Sequence, residues 1–167
     1  MSRATSIAVR EAVQADARAI GSLRHEDEPH RERLELQAWA LHLLRTTRPQ
    51  DGWIAVAEVD GEVIGWGRAG VFAPPPHAPD HCCPAGWYLL GVNVAGAWRR
   101  QGVGSALVRA RTAWIAQRSP RALCFVAPDN VASLELHARC GFAVTRQGVW
   151  FPLVAQRELL LMEAPLP

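Results

Sequence analysis

Leu89-Leu90-Gly91-Val92-Asn93-Val94, followed after three residues by Trp98-Arg99-Arg100-Gln101-Gly102-Val103-Gly104-Ser105-Ala106, is the stretch whose reading decides the fold. An apolar run without polar alternation predicts a strand over 87–94, buried on both faces. Behind it, Val103, Leu107, Ala110 and Trp114 recur at helical spacing, which predicts a helix over 102–118 with that stripe turned inward. Between the two, Gly102 and Gly104 bare the backbone where the helix begins. First-turn amides have no partner inside a helix, so they point at whatever lies ahead of them. An anion there gains charge-assisted hydrogen bonds and a helix-dipole contribution of up to about 2 kcal/mol, with Arg99 and Arg100 adding positive charge. The plainer alternative is a helix start whose glycines only permit a tight turn.

Other phosphate motifs fail on spacing. The P-loop pattern needs a lysine, and the chain has none. A dinucleotide fingerprint needs a third glycine, absent here.

Working outward, residues 7–10 predict a short strand and 16–24 a helix that Asp16 can cap. A charged break over 25–31 precedes a second helix in which Leu34, Ala38, Leu41 and Arg45 share one side. Residues 53–59 and 62–71 are β-rich runs joined by Asp60-Gly61, the pair that favours a type I′ hairpin turn. Pro74, Pro75, Pro76, Pro79 and Pro84 make the next stretch a stiff loop. Residues 122–126 form a further strand, and 130–140 a helix that Gly141 can end in the left-handed conformation. Residues 143–149 and 155–162 give two last strands on either side of Phe151-Pro152. Strands with interleaved helices predict an α/β (α+β) domain over 1–167, a mixed sheet with helices packed on its faces.

Composition bounds the function. In 167 residues, 49% apolar and 20% charged, with scattered basic residues and a net charge of +2, there is no electrostatic footprint for nucleic acid. No apolar run is long enough to span a bilayer, so a cytoplasmic protein is expected, without membrane or nucleic-acid partners. Cys82, Cys83, Cys124 and Cys140 contain no C-x-x-C pair, so reduced thiols and no metal site are expected.

On the helix over 130–140, Asn130, Ser133 and His137 stand at i, i+3 and i+7 and project from one face, with Val131, Leu134 and Ala138 on the opposite stripe. Alone, such a polar line also describes a solvated surface helix.

Taken together, Leu89 to Val94, Trp98 to Leu107 with Arg99-x-x-Gly102-x-Gly104, and Asp129 to Phe142 ending in Gly141-Phe142 resemble the GNAT family of N-acetyltransferases. These motifs lie within residues 89–142, about a third of the chain, in the family's order. The resemblance implies a mostly antiparallel sheet with splayed central strands and acetyl-CoA as cofactor. The turn made of Arg99, Arg100, Gln101, Gly102, Val103, Gly104, Ser105 and Ala106 would hold the pyrophosphate of coenzyme A. Val92, Asn93 and Val94 would pair with the pantetheine arm, Asn130 and Ser133 would contact it, and the Val94 amide would stabilise the oxyanion.

Relatives often place a tyrosine where this chain has His137, and a glutamate base where it has Leu90. His137 then stands either as general acid or as a structural histidine. Glu26, Asp27 and Glu28, with His25 and His30, border the expected acceptor site; Glu26 and Glu28 are the candidate bases, each also readable as part of a solvated loop. Trp53, Trp66, Trp87, Tyr88 and Trp150 divide between core and acceptor pocket. The reading is acetyl transfer to a primary amine of a small molecule, such as an amine antibiotic or amino-acid derivative. The alternatives are a protein N-terminal or lysine acetyltransferase and a catalytically eroded CoA-binding module. The apolar stretch 155–162 leaves a homodimer through strand pairing open.

Overall fold

The computed structural model describes residues 6–152, 154 and 158–167. Its strands are β1 (Ala8–Glu11), β2 (Gly52–Val59), β3 (Glu62–Phe72), β4 (Gly86–Val94), β5 (Arg121–Val126), β6 (Ala143–Val149) and β7 (Leu159–Pro165). They form one sheet in the order β1-β2-β3-β4-β5-β7-β6, antiparallel except where β4 runs beside β5. The mixed, mostly antiparallel sheet expected from the sequence is the one that forms. Four α-helices accompany it among the described residues: α1 (Ala17–Asp27), α2 (Arg33–Thr46), α3 (Val103–Ala116) and α4 (Val131–Arg139).

Strand alternation assigns the two faces of the sheet. Ile54, Val56 and Trp66 turn to α1 and α2, where Ile20, Leu23 and Ala40 meet them, while Ala55 and Ala57 turn to Val103 and Leu107 of α3. Small residues on the second face let α3 approach closely. A Cβ on Gly65 would lie 3.0 Å from a Val103 methyl, and one on Gly67 would lie 2.7 Å from the guanidinium carbon of Arg111. The β2–β3 turn has positive φ at both Asp60 (50°) and Gly61 (83°), as a type I′ turn requires.

Four elements differ in detail from the sequence reading; on α3 the buried residues are Val103, Leu107, Val108, Arg111 and Ile115, with Ala110 and Trp114 only partly buried. On α2 the buried residues are Leu36 and Ala40, and Leu34 is 79% exposed. The α1–α2 crossing decides this: a Cβ on Gly21 would meet the Gln37 backbone at 2.8 Å, so the side of α2 carrying Leu36 lies against α1. Asp16 stands at the N-cap of α1, yet its carboxylate takes Arg10 and the Val13 amide rather than capping the helix. The last strand begins at Leu159; residues 155–157 of the expected strand lie outside the described residues.

Candidate active site

The sheet opens between β4 and β5. Among the described residues these strands share one pairing, Tyr88 with Leu123, after which they separate. A bulge in β4 helps to part them: Ala69 faces Leu89 and Gly67 faces Val92, so Leu90 and Gly91 together oppose Arg68, with Gly91 at φ 83°. The expectation that β4 is buried on both faces therefore holds only for Tyr88 and Leu89. Beyond them the strand edge is open. Ala95 donates its amide to the Ile64 carbonyl at 2.9 Å, so by strand alternation the N–H and C=O groups of Val92 and Val94 face the gap. The Val94 carbonyl takes the Arg99 Nε at 3.2 Å.

The gap is a cavity of about 720 Å³. Leu89, Gly91 and Val92 of β4 form one wall and residues 124–127 the other. Asn130, Ser133 and His137 close it on the α4 side, and Glu28 and His30 on the side of α1 and α2. The polar line of α4 thus faces inward, while Val131, on its supposed apolar back, is 60% exposed. The cavity takes the polar line of this helix, while Leu134 and Leu136 pack against the core.

Beyond β4 the chain turns into α3 through residues that are not among those lining the cavity. Arg100 (φ 63°) and Gly102 (φ 87°) adopt left-handed conformations, and the Gln101 side chain donates to the Ala97 carbonyl at 2.7 Å. The first helical bond is donated by Ala106 to Gly102 at 2.9 Å, so the amides of Val103, Gly104 and Ser105 have no intrahelical acceptor. Gly102 supplies the turn. Gly104 acts through packing instead, since a Cβ there would lie 3.1 Å from a Leu136 methyl, and its lack of one seats α4 against α3.

The acidic end of α1 is tied to this turn. Asp27 accepts from Arg99 Nη2 at 2.9 Å and from the Asn93 side-chain amide, and Glu26 accepts from the Gly96 amide at 2.9 Å. Arg100 reaches Glu135 at 3.4 Å. Glu28 differs from Glu26 in lining the cavity, where Arg24 (2.6 Å) and Arg31 (3.2 Å) hold it. On α4, the Asn130 Oδ1 accepts from the Ser133 amide at 3.1 Å, an N-cap that fixes the start of the helix. His137 is 5% exposed, with Phe142 edge-on to its ring at 5.4 Å.

Arg111 went unread in the sequence. It lies on the buried side of α3 with Val103, Leu107 and Ile115, is 0% exposed, and lines the cavity. A charged residue at i+4 from Leu107 on an apolar stripe was the available signal. Its Nε donates to the Leu107 carbonyl at 3.0 Å, and its Nη1 to those of Arg68 at 3.0 Å and Gly91 at 2.8 Å. Desolvation pushes its pKa down to about 10, so it stays charged at neutral pH. The aromatics mostly serve the core: Trp53 stacks on Trp114, and Phe72, Tyr88, Phe125 and Phe151 form one cluster.

The model of the acetyltransferase (GNAT) family matches residues 9–142, and the chain belongs to that family. No curated protein matches the sequence. Among solved structures it is similar to a GNAT superfamily phosphinothricin acetyltransferase from Sinorhizobium meliloti in complex with acetyl-CoA, at 20% identity over 96% of this chain and 88% of that one, with a TM-score of 0.71. A Salmonella typhimurium protein solved with its cofactor acetyl-CoA matches at 22% identity over 96% and 94%, TM-score 0.66. A ribosomal-protein-alanine N-acetyltransferase from Brucella melitensis matches at 22% identity over 95% and 99%, TM-score 0.69. Among the described residues, no helix is long and apolar enough to cross a membrane.

Proposed function

We propose that this chain is an acyl-CoA-dependent N-acetyltransferase that moves the acetyl group of acetyl-CoA to a primary amine of a small molecule, such as an amine antibiotic or an amino-acid derivative. The observation that carries this reading is the edge of β4 beyond Leu89, where the Val92 main chain and the Val94 amide face the gap with no strand paired to them among the described residues. An extended arm rich in amides fits such an edge as an added strand, and a diphosphate fits the amides of Val103, Gly104 and Ser105. Acetyl-CoA would supply the activated thioester.

The chain's own residues do the rest. The Val94 amide, or that of Val92 beside it, donates to the carbonyl oxygen as negative charge develops there. Glu28, on the α1 and α2 side of the cavity, draws a cationic amine, which releases one proton to solvent to become the neutral nucleophile. His137 lines the cavity at its other wall, and its Nε2 can take the proton the amine gives up and return it to the departing sulfur. Thiol release from acetyl-CoA tests the reading against a panel of amine antibiotics, amino acids and peptides. Turnover with a small amine is the expected result; turnover confined to peptides reassigns the acceptor, and none at all removes the activity.

A further inference from the structure

The cavity passes through the sheet, and its two ends differ in chemistry. Alternation along β5 sends Cys124 and Val126 to one face, where they meet Val108 and Ile115 of α3, and sends Phe125 to the other, where it joins Phe72 and Leu90. Phe72 follows Trp66 on β3 by an even number of residues, so this second face is the one that carries α1 and α2. Leu161 pairs with Phe125 and Leu159 precedes Leu161 by an even step, which puts Leu159 on that face as well.

The α3 face belongs to the acyl donor. Val103, whose amide is among those that suit a diphosphate, packs there beside Ala55 and Ala57, and Asn130, Ser133 and His137 line the cavity from α4. The α1 and α2 face is left for the acceptor. There the lining residues are Glu28 and His30, together with Phe125, Val154 and Leu159.

These last three side chains carry no hydrogen-bonding atom. Phe125 is partly exposed although its ring lies on that of Phe151 at 4.1 Å, and Val154 is partly exposed too, while Tyr88 in the same cluster is 0% exposed. The cluster is therefore closed on its inner side and open toward the cavity. A polyhydroxylated amine would find no partner along this wall, whereas a hydrocarbon body would cover it and take apolar surface out of water on both sides of the contact.

We propose that the acceptor is a primary amine carried on a compact apolar body such as a phenyl ring, with its nitrogen on the Glu28 side and the apolar body received by Phe125, Val154 and Leu159. This rests on the N-acetyltransferase reading of the cleft. In the transfer the ammonium first loses one proton to solvent, the neutral nitrogen bonds to the thioester carbonyl carbon, the C–S bond breaks, and the second proton passes from nitrogen to sulfur. The apolar body takes no part in the chemistry; it holds the nitrogen in place.

Thiol release by the whole protein at saturating acetyl-CoA tests this with two primary amines of similar size, 2-phenylethylamine and 2-(2-methoxyethoxy)ethylamine. The first should show a kcat/KM about tenfold higher or more, and Phe125→Ala should shrink that ratio several-fold. The comparison in the unaltered protein stands even where the variant fails to fold. Equal kcat/KM for the two amines, or a preference that survives in folded Phe125→Ala, overturns this inference alone. So does a preference that sits on the donor instead, with phenylacetyl-CoA bound more tightly than acetyl-CoA and the difference lost in Phe125→Ala. If neither these amines nor any other is acetylated, the N-acetyltransferase reading falls and this inference with it.

Discussion

The Nδ1 atom of His137 lies 2.8 Å from the backbone carbonyl oxygen of Ser133, one helical turn earlier, with the Ser133 hydroxyl at 3.3 Å. A carbonyl only accepts, so Nδ1 carries the proton and Nε2 keeps a free lone pair. Burial, opposed by that carbonyl, holds the pKa of the ring below its ordinary 6.5. The folded protein therefore binds this proton less readily than the unfolded chain. Above pH 6.5 both forms of the chain are neutral here and the contribution to stability is full; as the pH falls below 6.5 toward the folded value, the unfolded chain protonates first and stability is lost. Urea unfolding between about pH 5 and pH 8 should show this slope, and His137→Phe should flatten it. An identical slope in the variant would place the titration elsewhere.

Glu28 is the carboxylate proposed to meet the amine, and substituting it would separate amine binding from cofactor binding. It lines the cavity, while Glu26 and Asp27 are engaged by Gly96, Asn93 and Arg99. Glu28→Gln should raise KM for a cationic amine several-fold more than it lowers kcat, and shift coenzyme A affinity less than either. Its ion pairs with Arg24 and Arg31 are partly exposed and worth at most about 1 kcal/mol, so the melting temperature should barely move. A change confined to kcat would instead mark Glu28 as a base.

At the turn, the two glycines separate by mechanism. Gly102 has φ 87°, where a side chain costs about 1–2 kcal/mol, and open space lies around its Cβ position. Gly102→Ala should therefore destabilise by about that amount and weaken coenzyme A binding by re-aiming the amides behind it. Gly104→Tyr should act through Leu136, displacing α4 together with Ser133 and His137. Calorimetry with coenzyme A and a melting curve on each variant read the two effects; unchanged affinity in both would remove the turn from the binding site.

What could be read from the sequence was what neighbouring residues decide among themselves. Asp60-Gly61 dictates its own turn, and Gly141 ends α4 at φ 90° because only the local backbone is involved. The strand, turn and helix around Gly102 were legible for the same reason. The opening beside β4 was expected only through the family resemblance, since Leu89-Leu90-Gly91-Val92 is equally apolar whether or not β5 follows it along its length. Apolar residues surround α2, so its stripe was settled only by where Gly21 lets α1 come close. The inward turn of His137 and Ser133 likewise depends on a cavity that no local pattern announces.

Asp16 ties the first strand to the first helix. Its carboxylate accepts from Arg10 at 2.8 and 3.0 Å and from the Val13 amide at 2.8 Å, and it is buried. Asp16→Ala leaves Arg10 with Glu58 at 2.9 Å but strands the Val13 amide, which should cost about 2 kcal/mol. The Arg10 hydrogen bonds hold the Asp16 carboxyl below its ordinary 3.8. Its stability contribution is thus present above pH 3.8 and lost as the pH falls through the lower, folded value. Acid unfolding should be less steep in the variant; equal acid limbs would show that the pairing adds nothing.

Gly67 sets the depth at which α3 can sit. A Cβ at this position would lie 2.7 Å from Arg111 Cζ and 2.9 Å from its Nη1, and that nitrogen is fixed on one side by the Arg68 carbonyl and on the other by that of Gly91. The guanidinium cannot swing away without leaving carbonyls unmatched, so the strain falls on the contact between helix and sheet. Gly67→Ala should destabilise by about 1–3 kcal/mol, the range for overpacking a filled interior. Gly67→Ala combined with Arg111→Leu should recover part of that loss, because leucine ends short of the guanidinium carbon. A double-mutant cycle from urea unfolding reads the coupling. Additive losses would mean that the glycine serves the strand bulge alone and that the arginine is not what it makes room for.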